Sequence, residues 1–339
     1  MPAFPNRLFL FLLTIGLFAC SQHPVKMGTQ MEYAQWFGIT EEGSVVVYSP
    51  AGAAPDTLQG PFGRLICMSS SYVGYLEAIG ADEAVTGVSG LDYLGNETVR
   101  THAVEVGYDA AMNYETILQV RPDLFLTYAV SAAEPPYLAK LKDLGVRCVI
   151  LSEHLENHPL ARAEYVKLFG ALTGHRQEAD SVFTEVRDRY LSLVQQPSTR
   201  KKVLINIPYA DIWYIPGADN YMAQLIRDGG GDLLGSEPGK TESGTIGLEQ
   251  AYAFAQEADL WLNPGWCRTR EQLRSVHPLF ASFPVLEKPI WNNTLQTTEG
   301  GGNRFWETGP VHPDWILEDL VHIFTVVPSA SMHYFFPLE

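Results

Sequence analysis

Residues 64–90 read RLICMSSSYVGYLEAIGADEAVTGVSG. The apolar run at 65–68 has strand character. Ser69 to Ser71 offer a helix N-cap, and Val73, Leu76 and Ile79 recur at helical spacing before Gly80 stops the helix. AVTGVSG then returns to a strand. Strand, helix and strand in so short a span is the unit from which helix-covered parallel sheets are built.

The same plan extends outward. NYETILQVRPDLFLTY (113–128) reads as a helix ended before Pro122 and a strand over 124–128. PPYLAKLKDLGVRCVIL (135–151) repeats it, with a helix over 137–144, a stop at Gly145 and a strand over 147–151. Upstream, GSVVVY (43–48) reads as one more strand, set apart by the Gly/Pro-rich AGAAPDTLQGPFG (51–63). Residues 158–196 differ. They read as a long helical stretch, interrupted near Thr173 and Gly174 and then continuous to Gln195, with Val182, Val186, Tyr190, Leu191 and Val194 as its apolar positions. After PSTRKK the alternation restarts: a strand in KVLINIPY (202–209), a helix in NYMAQLIRDGGG (220–231), and a helix and strand in TIGLEQAYAFAQEADLWLNPG (245–265). PLFASFPVLEKPIWNN (278–293) reads as a short helix and a strand, and PDWILEDLVHIFTVV (313–327) as the terminal helix. The halves echo each other, since NYETILQVRPDLFLTY resembles GLEQAYAFAQEADLWLNP (247–264). The expected fold is α/β: two lobes with mainly parallel sheets, joined by one long helix. The lobes span 31–153 and 198–339, and the helical region between them spans 154–197.

Twenty-three Lys and Arg against 39 Asp and Glu leave a formal charge of −16. Nucleic acid is thereby excluded as a partner, because a phosphate backbone needs a basic stripe. An apolar fraction of 46% excludes wholesale disorder. Four cysteines are too few for a disulfide scaffold. Cys67 and Cys148 sit in apolar, strand-like runs, and with Cys267 they make an odd set of three, which points to free thiols. The first residues are an address. Arg7 precedes an apolar run that ends in Leu17-Phe18-Ala19-Cys20, which resembles a lipobox. Residues 1–19 are therefore expected to be a signal peptide, Cys20 to carry the lipid, and 20–30 to hold the anchor and a flexible tether. No later apolar stretch reaches the length of a membrane-spanning helix. The expected location is periplasmic, with the protein lipid-anchored to a membrane.

This layout resembles the substrate-binding proteins of ABC importers for ferric siderophores, haem and cobalamin. The resemblance covers about residues 31–339 and lies in the order and spacing of several segments. Residues 64–90 look like the family's first strand, helix and Gly-containing second strand. VGYDAAMNYETILQVRPDLFL (106–126) resembles its asparagine–x–glutamate helix followed by a proline–aspartate strand, and 245–262 matches the equivalent segment of the second lobe. NRFWETGPVHPDWILEDLVHIF (303–324) resembles the C-terminal segment of some members; Thr325-Val326 stands where others carry His-Pro. The resemblance implies two lobes bridged by a rigid helix, a ligand cleft between them, binding rather than catalysis, no cofactor, and a monomer. Its partners would be a small-molecule metal chelate and the permease dimer. It further implies that a surface Glu on each lobe docks onto permease arginines. Glu115 and Glu249 stand at those places, each opening the helix before its lobe's PDL or ADL strand. A first-turn Glu is also favoured by the helix dipole alone.

Ligand residues are expected on loops after the carboxyl ends of strands. In the first lobe these are Ser70, Ser71, Tyr72, Tyr93 and Tyr108. In the second they are Trp213, Tyr214, Ser243, Trp266, Arg268 and Trp306. Aromatic rings suit a flat corrin, porphyrin or catecholate, and Ser and Tyr add orienting hydrogen bonds. Trp213, Trp266 and Trp306 neighbour Gly or Pro and are read as loop residues, whereas Tyr128 and Trp261 are read as core. Two other classes stay open. A free-metal binder needs His, Asp or Glu ligands converging from afar, for no His-x-His pattern occurs. An enzyme would need a motif, yet GGGD (229–232) and EGGGN (299–303) fit neither GxGxxG nor GxxxxGK[ST], and read as turns. A permease-independent sensor would keep the same cleft.

Overall fold

The computed structural model of the chain describes residues 28–130, 134–209, 212–325 and 331–339. The expected signal peptide, Cys20 and most of the tether lie outside them. The chain then enters an antiparallel sheet of β1 (Thr29–Gln30), β2 (Phe37–Ile39), β3 (Val45–Val47) and β4 (Asp56–Leu58), in that order. The tether expected up to residue 30 is thus shorter, because Thr29 and Gln30 pair with Ile39 and Gly38. Sequence patterning isolated only β3, because its three valines form an apolar run, whereas the equally short FGI of β2 and DTL of β4 show neither a run nor a clear alternation. Two carboxylates hold this segment down. Glu164 accepts the amides of Glu32, Tyr33 and Ala34, and Glu156 accepts those of Gln35 and Trp36.

The first parallel sheet contains β5 (Leu65–Cys67), β6 (Val85–Val88), β7 (Val104–Glu105), β8 (Leu124–Thr127) and β9 (Cys148–Ile150). Its order is β7-β6-β5-β8-β9, with every neighbouring pair parallel. The connecting helices are α1 (Ser70–Ala78), α2 (Glu97–His102), α3 (Tyr114–Val120) and α4 (Pro136–Asp143). Strands β5 and β8 are buried throughout, which is why they read as unbroken apolar runs rather than alternating ones. The short helix α2 was not expected from the sequence. Its start is set by Asn96, whose side chain accepts the Val99 amide at 2.8 Å.

Three helices follow: α5 (Pro159–Ala163), α6 (Tyr165–Thr173) and α7 (Arg176–Leu193). Gly174 takes the left-handed φ of 83° that ends α6. The 18 residues of α7 span roughly 27 Å at 1.5 Å per residue. Ala179, Phe183, Val186 and Tyr190 form its buried stripe, and Leu191, read as apolar-face from sequence, points outward. Its partners are α6 on one side and α12 (Pro313–Thr325) on the other.

The second sheet contains β10 (Lys201–Ile205), β12 (Gly231–Leu233), β14 (Leu260–Leu262), β15 (Ile290–Asn292) and β16 (Phe336–Pro337), in the order β12-β10-β14-β15-β16. The first four are mutually parallel and β16 closes the edge antiparallel to β15. A separate antiparallel pair joins β11 (Trp213–Ile215) to β13 (Gly244–Ile246). Around them lie α8 (Tyr221–Asp228), α9 (Leu248–Glu257), α10 (Arg270–Val276) and α11 (Arg304–Glu307). The short helix expected within 278–293 is two 3-10 turns instead, each opened by a proline, Pro278 and Pro284. The architecture is the expected one: two α/β lobes with mainly parallel sheets. Cys67, Cys148 and Cys267 are free thiols. Burial raises all three above the ordinary thiol value, Cys148 and Cys267 to about 11, so they stand as neutral packing groups.

Candidate functional site

In each parallel sheet the chain leaves the central strand to one side and later returns to the other. The switch falls between β5 and β8 in the first lobe, and between β10 and β14 in the second. Crevices at the carboxyl ends of such strands are where α/β sheets hold ligands. In the second lobe β10 runs into Asn206 and β14 into Asn263, with φ of 65° and 53°. Asparagine is among the few residues that accept this left-handed backbone. The turn is held from beneath. The Asn206 amide donates to Leu262 O (3.0 Å), the Asn263 amide donates to Trp291 O (2.9 Å), and Trp261 Nε1 donates to Asn206 O (2.7 Å). After β15 come Asn293 and Thr294. None of Asn206, Asn263, Asn293 and Thr294 is among the residues expected from sequence to bind ligand. The signal was there: three neighbouring strands each end in asparagine.

These ends open onto a cleft of about 450 Å³ shared by both lobes. Ser70 and Tyr93 line it from the first lobe, and Trp266, Trp306 and the three asparagines from the second. Trp266 is 62% exposed and Trp306 48%, so their ring faces are open to a ligand. Asn263 is only 8% exposed, and its Oδ1 is buried without a hydrogen-bond partner, as is Thr294 Oγ1. Buried polar atoms are ordinarily satisfied, so a pair of orphans in one cleft wall marks a place where a partner is missing.

A segment of the second half forms one end of the cleft by clamping onto the first lobe. Arg304 donates to both oxygens of Glu77 on α1 (2.7 and 2.9 Å) and to Glu307 (2.6 Å). Glu307 in turn accepts the amides of Gly95 (2.7 Å) and Asn96 (3.0 Å). Burial pushes the Glu307 carboxyl up, against the Gly95 amide and the Arg304 charge. Burial acts the same way on Glu77, but Arg304 and the Asn96 amide outweigh it and hold that carboxyl below its usual value. EGGGN, read from sequence as a turn, is also a contact surface. A Cβ on Gly302 would lie 1.6 Å from Tyr93 O, and one on Gly300 2.2 Å from Asp92 O. Only glycine lets the two backbones meet there.

Several expected ligand residues lie elsewhere. Trp213 is fully buried: strand alternation turns Trp213 and Ile215 into the core and Tyr214 outward. It stacks on Trp261 at 5.6 Å and donates Nε1 to Ile205 O at 2.8 Å. Flanking glycines and prolines misled the sequence reading, because a three-residue strand is bounded by the same residues as a loop. Tyr72 is buried in the α1–α6 contact, donating to Thr127 O (3.1 Å). Ser71 is buried too, donating to Glu153 (3.0 Å), which pairs with Arg162 (2.8 Å). Helix α1 has only its first residue at the cleft; the next turn faces inward. Ser243 is exposed just before β13, outside the lining, and Tyr214 meets the site only through its carbonyl, which accepts Asn206 Nδ2 (3.0 Å). Tyr108 stands next to Tyr93 at the rim, both rings against Gly90. Burial and the Glu105 charge raise the Tyr108 phenol, so it is a neutral hydroxyl. Arg268 sits behind Thr294, donating to its carbonyl (3.0 Å) and stacking over Phe336 (4.7 Å). Tyr128, read as core, is 39% exposed and stands edge-on to His154. Both ring nitrogens of His102 are engaged by carbonyls of Thr98 and Val85. Among the described residues, no three His, Cys, Asp or Glu side chains converge as metal ligands do.

Glu115 and Glu249 are both exposed in the first turns of α3 and α9. These helices lead into β8 and β14, the strands that pair with β5 and β10, so the two carboxylates hold matching positions. A larger hollow of about 610 Å³ lies on the first lobe alone, between the β3–β4 connection and α4.

The fold has many known counterparts. A periplasmic heme binding protein from Pseudomonas aeruginosa superposes with a TM-score of 0.62 at 18% identity, over 82% of this chain and 98% of that one. The periplasmic vitamin B12 binding protein of Vibrio cholerae gives a TM-score of 0.53 at 15% identity, over 80% and 99%. An uncharacterized lipoprotein of Methanocaldococcus jannaschii is 26% identical over 291 residues, 81% of this chain and 68% of that protein. The periplasmic binding protein family model matches residues 65–294, from the first strand of one lobe to the cleft threonine of the other. With its two-lobed α/β architecture and a cleft at both switch points, this chain belongs to the periplasmic binding protein family.

Proposed function

We propose that the protein is the substrate-binding lipoprotein of an ABC importer. It captures a chelated-metal ligand (a ferric siderophore, cobalamin or haem) between its lobes and delivers it to the permease dimer. It acts by binding and handing over, not by catalysis, as a monomer held in the periplasm by lipid on Cys20. The observation that carries this reading is the shared cleft, where open Trp and Tyr faces surround unpartnered polar atoms. Aromatic faces favour a flat chelate, and the polar atoms would orient it. Closure should be modest: the packing of α7 on α6 and α12, and the Arg304 clamp between the two halves, support that expectation.

Incubating residues 21–339 with cyanocobalamin, haemin and ferric siderophores, then desalting and recording the visible spectrum, tests the reading. One co-eluting chromophore is expected; a colourless protein across the panel overturns it. Trp266→Ala and Trp306→Ala should each weaken ligand binding by roughly 5- to 150-fold, as expected for losing ~1–3 kcal/mol of stacking and burial. Two unchanged affinities would remove both rings from the site. We assign Glu115 and Glu249 to permease docking, where exposed charges orient a partner. Glu115→Arg with Glu249→Arg should abolish uptake by cells while ligand affinity measured on the purified protein stays the same. Undiminished uptake would end the docking assignment.

A further inference from the structure

We infer that the cleft accepts an uncharged chelate whose rim carries amide groups, and rejects one that presents carboxylates or another anionic head. The inference rests on the binding reading above and names the ligand class of that same cleft.

The first observation is the charge of the wall. Among the described residues that line the cleft there is no Asp, Glu, Lys, Arg or His. An anion entering it would lose hydration and meet no counter-charge, inside a protein of formal charge −16. Two guanidinium groups beside the lining residues, next to Asn303 and behind Thr294, are already engaged. Arg304 is held between Glu77 and Glu307, and Arg268 lies behind the Thr294 carbonyl against Phe336.

The second observation is the polar chemistry that the wall does offer. Asn263 Oδ1 is an acceptor, buried and unpartnered, on a side chain that lines the cleft, so a ligand group packed against it has to offer an N–H or O–H. A carboxylate has no proton to give and would set oxygen against oxygen there. A primary amide has donors and an acceptor on one group, so it can meet an asparagine side chain head to tail. Thr294 Oγ1, the second orphan, can either donate or accept. Asn303 adds a donor: its Oδ1 is taken by the Phe305 amide at 3.0 Å, which leaves its Nδ2 for a ligand carbonyl. An amide-rimmed ligand therefore satisfies every one of these groups, and a carboxylate-rimmed one leaves the deepest unpaired. Such mismatches between a buried polar site and its ligand give large discrimination.

The third observation is shape. Trp266 and Trp306 present open aromatic faces, which suit the flat apolar body of a chelate while the asparagines read its rim. A corrinoid with amide side chains, or a neutral cyclic-peptide hydroxamate chelate, has this character. Haem, with two propionates, and a ferric tricatecholate, with its net negative charge, do not.

Calorimetric titration of the mature chain compares dicyanocobinamide with dicyanocobyrinate, which share a corrin ring and differ in bearing amides or carboxylates on its rim. Ferrichrome, haemin and a ferric tricatecholate complete the set. The expected result is that a neutral amide-bearing chelate binds tightest. It should exceed its carboxylate counterpart or the anionic chelates by about 100-fold, with little dependence on salt. Tighter binding of cobyrinate, haemin or the tricatecholate, or equal affinity for the two corrins, overturns the inference while leaving the binding reading intact. Binding of none of the five overturns both. Asn263→Asp, which keeps shape and replaces amide by carboxylate, should weaken the best neutral ligand at least tenfold; unchanged affinity overturns the role given to Asn263. If that variant does not fold, the salt dependence of the wild-type titration decides: an affinity that holds within about twofold between low and high salt marks a neutral ligand, and a tenfold loss would reveal an anionic one.

Discussion

Replacing Arg304 by alanine is expected to destabilise the protein by about 3 kcal/mol and to weaken ligand binding at the same time. Breaking a buried ion pair from one side typically costs 3–5 kcal/mol, because the remaining charge is left without compensation. The lower figure applies here because the Arg304 side chain keeps 20% of its exposure, and Glu77 a third. Glu307 is the sensitive partner, at 1% exposure. With Arg304 gone, its carboxylate retains only the Gly95 and Asn96 amides. The effect on binding follows from α11 itself. Trp306 lies between Arg304 and Glu307 in sequence, and Asn303 caps the same turn, so loosening the clamp releases two cleft residues together. A loss of preorganisation of ~1.4 kcal/mol would lower affinity about tenfold.

Urea unfolding of wild type, Arg304→Ala and the Arg304→Ala/Glu307→Gln double variant measures this directly. The double variant should recover part of the loss by removing the stranded charge. The pH dependence has a definite sign. Burial raises the folded-state pKa of Glu307, so the folded protein holds a neutral Glu307 more readily than the unfolded chain does. The stability deficit of Arg304→Ala should therefore shrink as pH falls towards the carboxylate range, and be fullest at neutral pH. A deficit below 1 kcal/mol at pH 7 would mean that the clamp is a surface ornament, of the kind that exposed ion pairs usually are.

Trp213→Ala should lower stability by about 3–5 kcal/mol, the range for emptying a large aromatic site in a core. Trp213 packs against Trp261, Phe280 and Phe283 with ring centroids 5.6, 5.8 and 6.3 Å away. Its Nε1 satisfies the Ile205 carbonyl next to Asn206, so its loss also frees an acceptor at the end of β10. Ligand affinity of the folded fraction should change far less than in Trp266→Ala or Trp306→Ala. Trp213→Phe, which keeps most of the packing and gives up the hydrogen bond, should cost only about 1–2 kcal/mol. Thermal unfolding with parallel ligand titration separates the two kinds of tryptophan. A stable Trp213→Ala protein that no longer binds ligand would return Trp213 to the cleft.

The contrast between these tryptophans shows where local sequence stops being informative. Trp213 and Trp266 both stand near Pro or Gly, and nothing nearby distinguishes them. Trp213 is drawn inward by pairing with Ile246 of β13, a segment far along the chain whose own apolar pattern is weak. The clamp was equally hidden. Arg304 and Glu77 are 227 residues apart, and each alone reads as an ordinary surface charge. The glycines at 300 and 302 looked like turn residues because their other reason, contact with the Asp92–Tyr93 backbone, lies in the opposite lobe. The asparagines were the most legible of the missed residues, since each stands at the end of a strand that the sequence already marked, although only the sheet order makes those strands neighbours.

By itself the sequence determined the alternation of strands and helices, the helical region between two α/β halves, the family, and the matching places of Glu115 and Glu249. Each of these is written in local terms, as apolar runs, caps, helix stops and their spacing along the chain. Only the tertiary structure decided which aromatic rings face the cleft, which carboxylates are buried, and that a segment of the second half grips the first. Those properties depend on what a side chain meets across the fold. Close packing sets that through segments far apart in the chain, and no window of neighbouring residues contains it.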